Sequence, residues 1–373
     1  MRPANILYLG IKELRSLAQD SIMLALIFYA FSFAIYAAAK ALPQTLNRAP
    51  IAIVDEDRSP LSARIVSAFY PPYFVTPVMI DQAGMDARMD AGLATFALNI
   101  PPDFQRDVMA GHMPTLQLNV DATRMSQAFA GSGYVQAITA AEVREFVQGH
   151  RRTAPPPADL VIRARFNPEL NEAWFGSVME LVNSITLLSI ILTGAALIRE
   201  REHGTVEHLL VMPVTPFEIM TSKVAAMALV VLTASVASLF FVIQGVLEVP
   251  LAGSRLLFLS GALLLLFATT SMGIFLGTVA RSMPQFGMLL LLVLLPLEIL
   301  SGGTSPRENM PAAIQFLMQA APNTHFVMLS QAVLYRGAGL EVVWPEFIKI
   351  AVIGVILFSL SLARFRRTIG EMA

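Results

Sequence analysis

The chain has no cysteine among its 373 residues, so structural disulfides, thiolate metal sites and a cysteine nucleophile are all excluded. Charge is scarce too. Asp, Glu, Lys and Arg make up 14% of the chain and the apolar class 55%, whereas soluble domains average about 25% charged residues. The 26 basic and 27 acidic residues nearly cancel, leaving a formal charge of -1, which argues neither for nucleic acid nor for a strongly charged partner. No G-x-x-x-x-G-K-[ST], G-x-S-x-G or H-E-x-x-H occurs, so the chain has no P-loop to cradle a nucleotide, and any ATP must be handled by another subunit. His203, Glu207 and His208 come nearest to a metal motif, but histidines five apart do not share a helix face. No cofactor or metal bound by this chain is expected.

What the chain has in abundance is apolar runs. A membrane-crossing helix needs about 20 mainly apolar residues, and six runs approach that: Ile22 to Ala39, Phe175 to Ile198, Val224 to Leu247, Leu256 to Ala280, Phe286 to Leu300 and Ile348 to Leu362. The expected fold is therefore an α-helical polytopic membrane protein with six transmembrane helices. Ala37-Ala38-Ala39 could serve as a signal-peptide cleavage site, but the run before it exceeds the roughly 7–15 residues of a signal core. Two shorter stretches, Ala312 to Ala320 and Phe326 to Leu334, are too short to span and read as re-entrant or interfacial, a re-entrant pair being expected within residues 304–340. Basic residues flank the spans at Arg2, Lys12 and Arg15, at Arg199, Arg201 and Lys223, at Arg281, and at Arg364, Arg366 and Arg367. Those four flanks are cytoplasmic by the positive-inside rule, which puts both termini inside.

Residues 42–174 then form an inserted extracytoplasmic domain that reads as α+β. Ile51 to Val54, Phe74 to Ile80, Thr95 to Ile100 and Leu116 to Val120 are strand-like. Between them lie the helix-like segments Pro60 to Phe69, Met85 to Gly92 and Pro102 to Ala110, and Met125 to Gln148 is a longer helical candidate. Pro155-Pro156-Pro157 ends the unit as a stiff linker. Ahead of the first span (21–41), residues 1–20 place Leu7, Ile11, Leu14 and Ala18 at helical spacing. This is either an amphipathic helix lying in the membrane interface or a cytoplasmic extension of the span.

The most informative stretch is the cytoplasmic loop 199–223, within the five-helix region 175–373. Thr205 suits an N-cap, and Glu207 falls in the first turn, where the helix dipole favours an acid. The short helix it starts exposes Leu209, Leu210 and Met212 and stops before Pro213. Thr215-Pro216-Phe217-Glu218 is a capping box with proline at the first helical position, and it launches the next span through Lys223. A rigid, exposed and partly apolar element on the cytoplasmic side has the character of a docking surface.

An Arg-Glu-rich exit from a span, followed by Gly-Thr, Glu, Leu-Leu, Pro and a helix start ending in Lys, resembles the coupling-helix loop of ABC-2 type transporter permeases. The order of segments is similar across essentially the whole chain. The late segments Ser301-Gly302-Gly303, Pro322-Asn323-Thr324-His325-Phe326 and Arg364-Phe365-Arg366-Arg367 resemble the bacterial branch with a large periplasmic domain. The resemblance implies a multi-pass permease of the bacterial inner membrane, dimeric with a second copy or a paralogue. It also implies drive from a cytoplasmic ABC ATPase that binds ATP and Mg. It assigns ATPase coupling to Glu200, Arg201, Glu202, Gly204, Thr205, Glu207, Leu209, Leu210, Pro213, Thr215 and Pro216.

The expected function is export of a substrate from the cytoplasm or inner leaflet, with membrane lipid around the chain and a periplasmic adaptor as a further partner; no nucleic acid is involved. The alternative is a sensor or scaffold whose external domain binds a ligand without transport. Among intramembrane polar residues, Glu298 lines either a pathway or a wet outer vestibule, and Asn183 either a pathway or a helix contact. Gly273 and Gly277 read as a close-packing pair, and His325 as a hydrogen-bonded residue at a helix turn.

Overall fold

The computed structural model describes residues 3–41, 46, 48–122, 125–149, 172–202, 213–303 and 307–370. The chain divides into two compact units: Met1–Ala41 with Ala164–Ala373, and Leu42–Arg163. It opens with α1 (Pro3–Ala18) and α2 (Ser21–Lys40), the latter started by Asp20, whose side chain accepts from the Met23 amide.

The Leu42–Arg163 unit alternates strand and helix as β1 (Ile51–Asp55), α3 (Pro60–Ser67), β2 (Val78–Met79), α4 (Gln82–Asp90), β3 (Phe96–Ile100), α5 (Phe104–Met109), β4 (Gln117–Val120) and α6 (Met125–Gln148). The strands form one sheet in the order β2-β1-β3-β4, parallel except for β4, which runs antiparallel at the edge. β1 is central and buried on both faces, which is why Ile51 to Val54 is apolar throughout rather than alternating. Phe74, Phe96, Leu98, Leu61, Ile65 and Phe104 close the core between sheet and helices. Of the expected strand Phe74 to Ile80, only Val78–Met79 pairs as a strand, with Phe74 making an isolated bridge to Ala49. The proline linker at 155–157 lies outside the described residues.

The other unit continues with α7 (Glu172–Glu202), α8 (Pro216–Val246), α9 (Arg255–Val279), α10 (Met283–Ile299), α11 (Ala312–Met318), α12 (Pro322–Ser330) and α13 (Leu340–Gly370). α7 is its axis: 78% of its apolar window is buried, against 22% in α2 and 17% in α13. Leu181, Val182, Ile185 and Leu188 are fully enclosed by α2, α8, α9 and α12. Gly273 lets α9 approach α7 so closely that a Cβ there would stand 2.5 Å from the Ile190 carbonyl.

Five described helices are long and apolar enough to cross a membrane, where six were expected. The expected fifth span is α10, with 17 residues. At 1.5 Å per residue it reaches about 25 Å, short of the ~30 Å hydrocarbon core, because Pro284 fixes its start and the chain turns at Ser301-Gly302-Gly303. α1 turns its charged residue Glu13, not its apolar stripe, toward the protein. Leu9, Glu13 and Leu17 face protein, while Leu7 is 63% and Ile11 37% exposed. The cause is Glu13, whose buried ion pair fixes the rotation of the helix and leaves the apolar stripe outward, as an interfacial helix in lipid would hold it.

Candidate functional site

The last turn of α7 carries four consecutive charged residues, Arg199 to Glu202, and helical geometry sends each toward a different neighbour. Arg199 pairs with Asp20, the N-cap of α2. Glu200 receives Lys12 of α1 at one oxygen and Lys223 of α8 at the other, the second at 2.8 Å. Arg201 donates to the carbonyls of Ala280 (2.6 Å) and Gly277 (3.2 Å), which end α9. Glu202 accepts from the amide of Met283, 3.1 Å away, at the start of α10. One helical turn thus ties together five helices.

At the centre lies a buried four-charge knot. Lys223 is 2% exposed and bonds Glu13 at 2.9 Å as well as Glu200. Lys12 reaches Glu13 at 3.3 Å, so two cations and two anions alternate with no net charge. Burial would push the Lys12 ammonium down, but the carboxylates of Glu200 and Glu13 outweigh it and hold the value above the ordinary lysine range. Asp20 lies below the usual carboxylate range, chiefly because the Met23 amide donates to it, with Arg199 adding to the effect. Such a knot is costly to break one partner at a time.

Glu200, Arg201 and Glu202 therefore converge with neighbours that sequence reasoning had not assigned to the site: Lys12, Glu13, Asp20, Arg199 and Lys223. Gly204, Thr205, Glu207, Leu209 and Leu210 lie outside the described residues, as do His203 and His208. Beyond them the chain re-enters at Pro213, whose carbonyl accepts from Asn5 Nδ2 at 3.5 Å. Thr215 then caps α8: its hydroxyl accepts from the Glu218 amide at 3.3 Å, its amide donates to Glu218 Oε2 at 2.8 Å, and Pro216 is the first helical residue. Both ends of the loop are therefore anchored.

Nearer the opposite end of α7, Glu180 stands one turn before Asn183 and lies within electrostatic reach of Glu298 of α10. Glu180 had escaped notice in the sequence because it falls only six residues after Trp174, where a span edge is expected. One turn further along α7, the Thr186 hydroxyl donates to Asn323 Oδ1 at 2.9 Å, and Asn323 Nδ2 donates to the Leu297 carbonyl at 3.1 Å. His325 faces Glu346 at 2.6 Å through Nδ1 and the Gln319 carbonyl at 2.8 Å through Nε2. α12 is thus fastened to α7, α10 and α13 by polar bonds.

Comparison with known proteins places this arrangement in context. Residues 21–363 match the model of a family described as ABC-2 family transporter protein. The inner membrane transport permease YhhJ of Escherichia coli K12 is 59% identical over 369 residues, covering 99% of each chain. The probable multidrug ABC transporter permease YbhR of the same organism is 28% identical over 361 residues, 96% of this chain and 97% of its own. The probable multidrug ABC transporter permease YbhS is 27% identical over 272 residues, 71% of each.

Proposed function

The chain belongs to the ABC-2 family of transporter proteins, and from that premise we propose that it is the permease subunit of an ATP-binding cassette exporter. It sits in the bacterial inner membrane with both termini cytoplasmic and works as a dimer, with a second copy or a paralogue. A separate cytoplasmic ATPase binds ATP and Mg and supplies the energy, since this chain has no P-loop of its own. Basic flanks at both ends require an even number of crossings, so α10, shorter than the others and accommodated by local thinning of the bilayer, also crosses and completes six spans. The Leu42–Arg163 unit is then periplasmic and hands cargo to the outside or to an adaptor.

The observation that carries this reading is the charged turn at the end of α7, tied to α1, α2, α8, α9 and α10. A push on residues 203–212 by a closing ATPase dimer meets anchored chain on both sides. The force passes into α7 and α8 rather than being absorbed in the loop. The released path runs past Glu180, Asn183 and Glu298, and cargo leaves the cytoplasm or inner leaflet through it.

The test uses the full-length chain purified from native membrane. A P-loop protein is expected to co-purify, and its ATP hydrolysis in reconstituted vesicles should depend on this chain. Glu207→Ala or Leu209→Asp should leave insertion intact and weaken that association, the first by removing a dipole-matched acid and the second by charging an apolar docking face. Unchanged ATPase activity with both variants would overturn the coupling assignment. An ATPase indifferent to the chain altogether would favour a sensor or scaffold.

A further inference from the structure

At the end of α7 opposite the charged knot, Phe175, the Ser301-Gly302-Gly303 turn, and residues of α11 and α12 enclose a cavity of about 600 Å³. Two arginines reach it from different segments, Arg307 and Arg336. Among the described residues neither forms an ion pair. Among the described residues Glu308 is the single acid on the lining, so the described wall carries a net positive charge. Arg307 is the more telling of the two. Its Nε is buried without a hydrogen-bond partner, and its Nη1 has only the thioether of Met328, at 3.1 Å, a weak acceptor. A buried guanidinium N–H on the cavity wall that no described protein atom receives points to an acceptor supplied by a ligand.

The backbone has been shaped around that side chain. Gly302 holds φ at +94°, and a Cβ there would stand 2.8 Å from Arg307 Cγ, so glycine keeps the channel for the arginine stem open. Gln331 adds an amide to the polar side of the cavity, while Phe175, Val327 and Met328 give it an apolar wall. The anion that fits is thus one with an apolar body attached.

We infer that this cavity binds the phosphate head group of an amphiphile, with Arg307 and Arg336 as its cationic fork and Phe175, Val327 and Met328 against its apolar chain. Guanidinium groups meet phosphate oxygens two at a time, which gives orientation as well as affinity. A membrane phospholipid and a soluble phosphate compound both offer that head group, and the apolar wall favours the first.

The assay is tryptophan fluorescence of the full-length chain in an uncharged maltoside detergent, since Trp174 adjoins Phe175 and the chain has only one other tryptophan. The probes are dihexanoylphosphatidylglycerol, dihexanoylphosphatidylcholine and inorganic phosphate. The phosphatidylglycerol should bind most tightly, and Arg307→Gln should weaken it by about tenfold or more, the loss expected for a charge-assisted hydrogen bond. Arg336→Gln, at an exposed position that does not endanger folding, should weaken it in the same direction. Arg307→Lys should fall between wild type and glutamine, because it keeps charge and loses the fork. Wild-type affinity in both glutamine variants would overturn the site. Equal affinity for the zwitterionic lipid would overturn its anion preference, and equal affinity for inorganic phosphate would overturn the role of the apolar wall. No transport or ATPase readout enters, so failure here leaves the permease reading untouched.

Discussion

Replacing Lys223 by methionine removes the buried one of the two cations that reach both Glu13 and Glu200, at 2.9 and 2.8 Å, from a position 2% exposed. Methionine fills nearly the same volume, so the loss is electrostatic rather than a cavity. Two carboxylates are left with Lys12 alone, and the knot changes from neutral to a net charge of -1. Breaking a buried pair from one side costs about 3–5 kcal/mol. The lower end applies here, because Lys12 is half exposed and water still reaches the site beside it. About 3 kcal/mol corresponds to a fall in melting temperature of roughly 6–12 °C at the scaling of 150–250-residue domains. Glu13→Gln with Lys223→Met restores neutrality, leaving Lys12 and Glu200 as a simple pair. The double variant should therefore melt above Lys223→Met, with a coupling of about 2 kcal/mol between the two positions. Thermal melts in detergent on wild type, both single variants and the double variant measure the cycle. Additive losses, or a Lys223→Met protein that melts like wild type, would refute the claim that these charges act as one unit.

Two further predictions follow from the proposed orientation and path. A periplasm-dependent reporter fused after Pro156 should be active and a cytoplasm-dependent one after Met212 should be active; reversal of either, with expression confirmed, would end the even-crossing topology. Glu298→Gln should change the transport rate with little loss of folded protein, whereas Glu298→Leu should cost more transport while raising the melting temperature, since it abolishes a desolvation cost. That cost stays below the roughly 2.5–3.5 kcal/mol of a helix-centre charge, Glu298 standing one residue from the end of α10. Wild-type transport in both variants would retire Glu298 from the pathway.

Much of the framework is legible in the sequence because each signal is local. The apolar runs locate α2, α7, α8, α9 and α13 without reference to any neighbour, and Thr215 with Glu218 announces the start of α8 from a spacing of three residues. The length of α10 is less legible, because Phe286 to Leu300 is apolar enough for a span and its shortness is set by Pro284 and the turn at Gly302. The charged site is legible only in half. Glu200, Arg201 and Glu202 stand together in the chain and invite notice. Lys12, Glu13 and Lys223 are single charges spread over 210 residues, and only packing of α1 and α8 against α7 brings them to one point. A faint signal existed in Glu13, which lies off the apolar stripe of α1 yet four residues from both Leu9 and Leu17; all three turned inward.

The distribution of these bonds along α7 bears on how far a cytoplasmic displacement would travel. Its 31 residues span about 46 Å at the helical rise. Near its middle the Ser189 hydroxyl donates to Thr269 at 2.6 Å, and at Gly273 the backbones of α7 and α9 nearly touch, so lateral sliding there is blocked. Toward the other end, Ser184 donates to the Ala30 carbonyl of α2, and Thr186 engages Asn323 of α12. A helix gripped at its charged end and pinned near its middle can still tilt about the pin. A tilt of 5° over half that length displaces each end by about 2 Å in opposite directions and moves Glu180, nine residues from Ser189, by about 1 Å, while Thr186, three residues from the pin, keeps its bond to Asn323. Under the proposed mechanism, the pin at Thr269 and Gly273 is what converts a push at residues 203–212 into an opposite movement at the far side of the membrane.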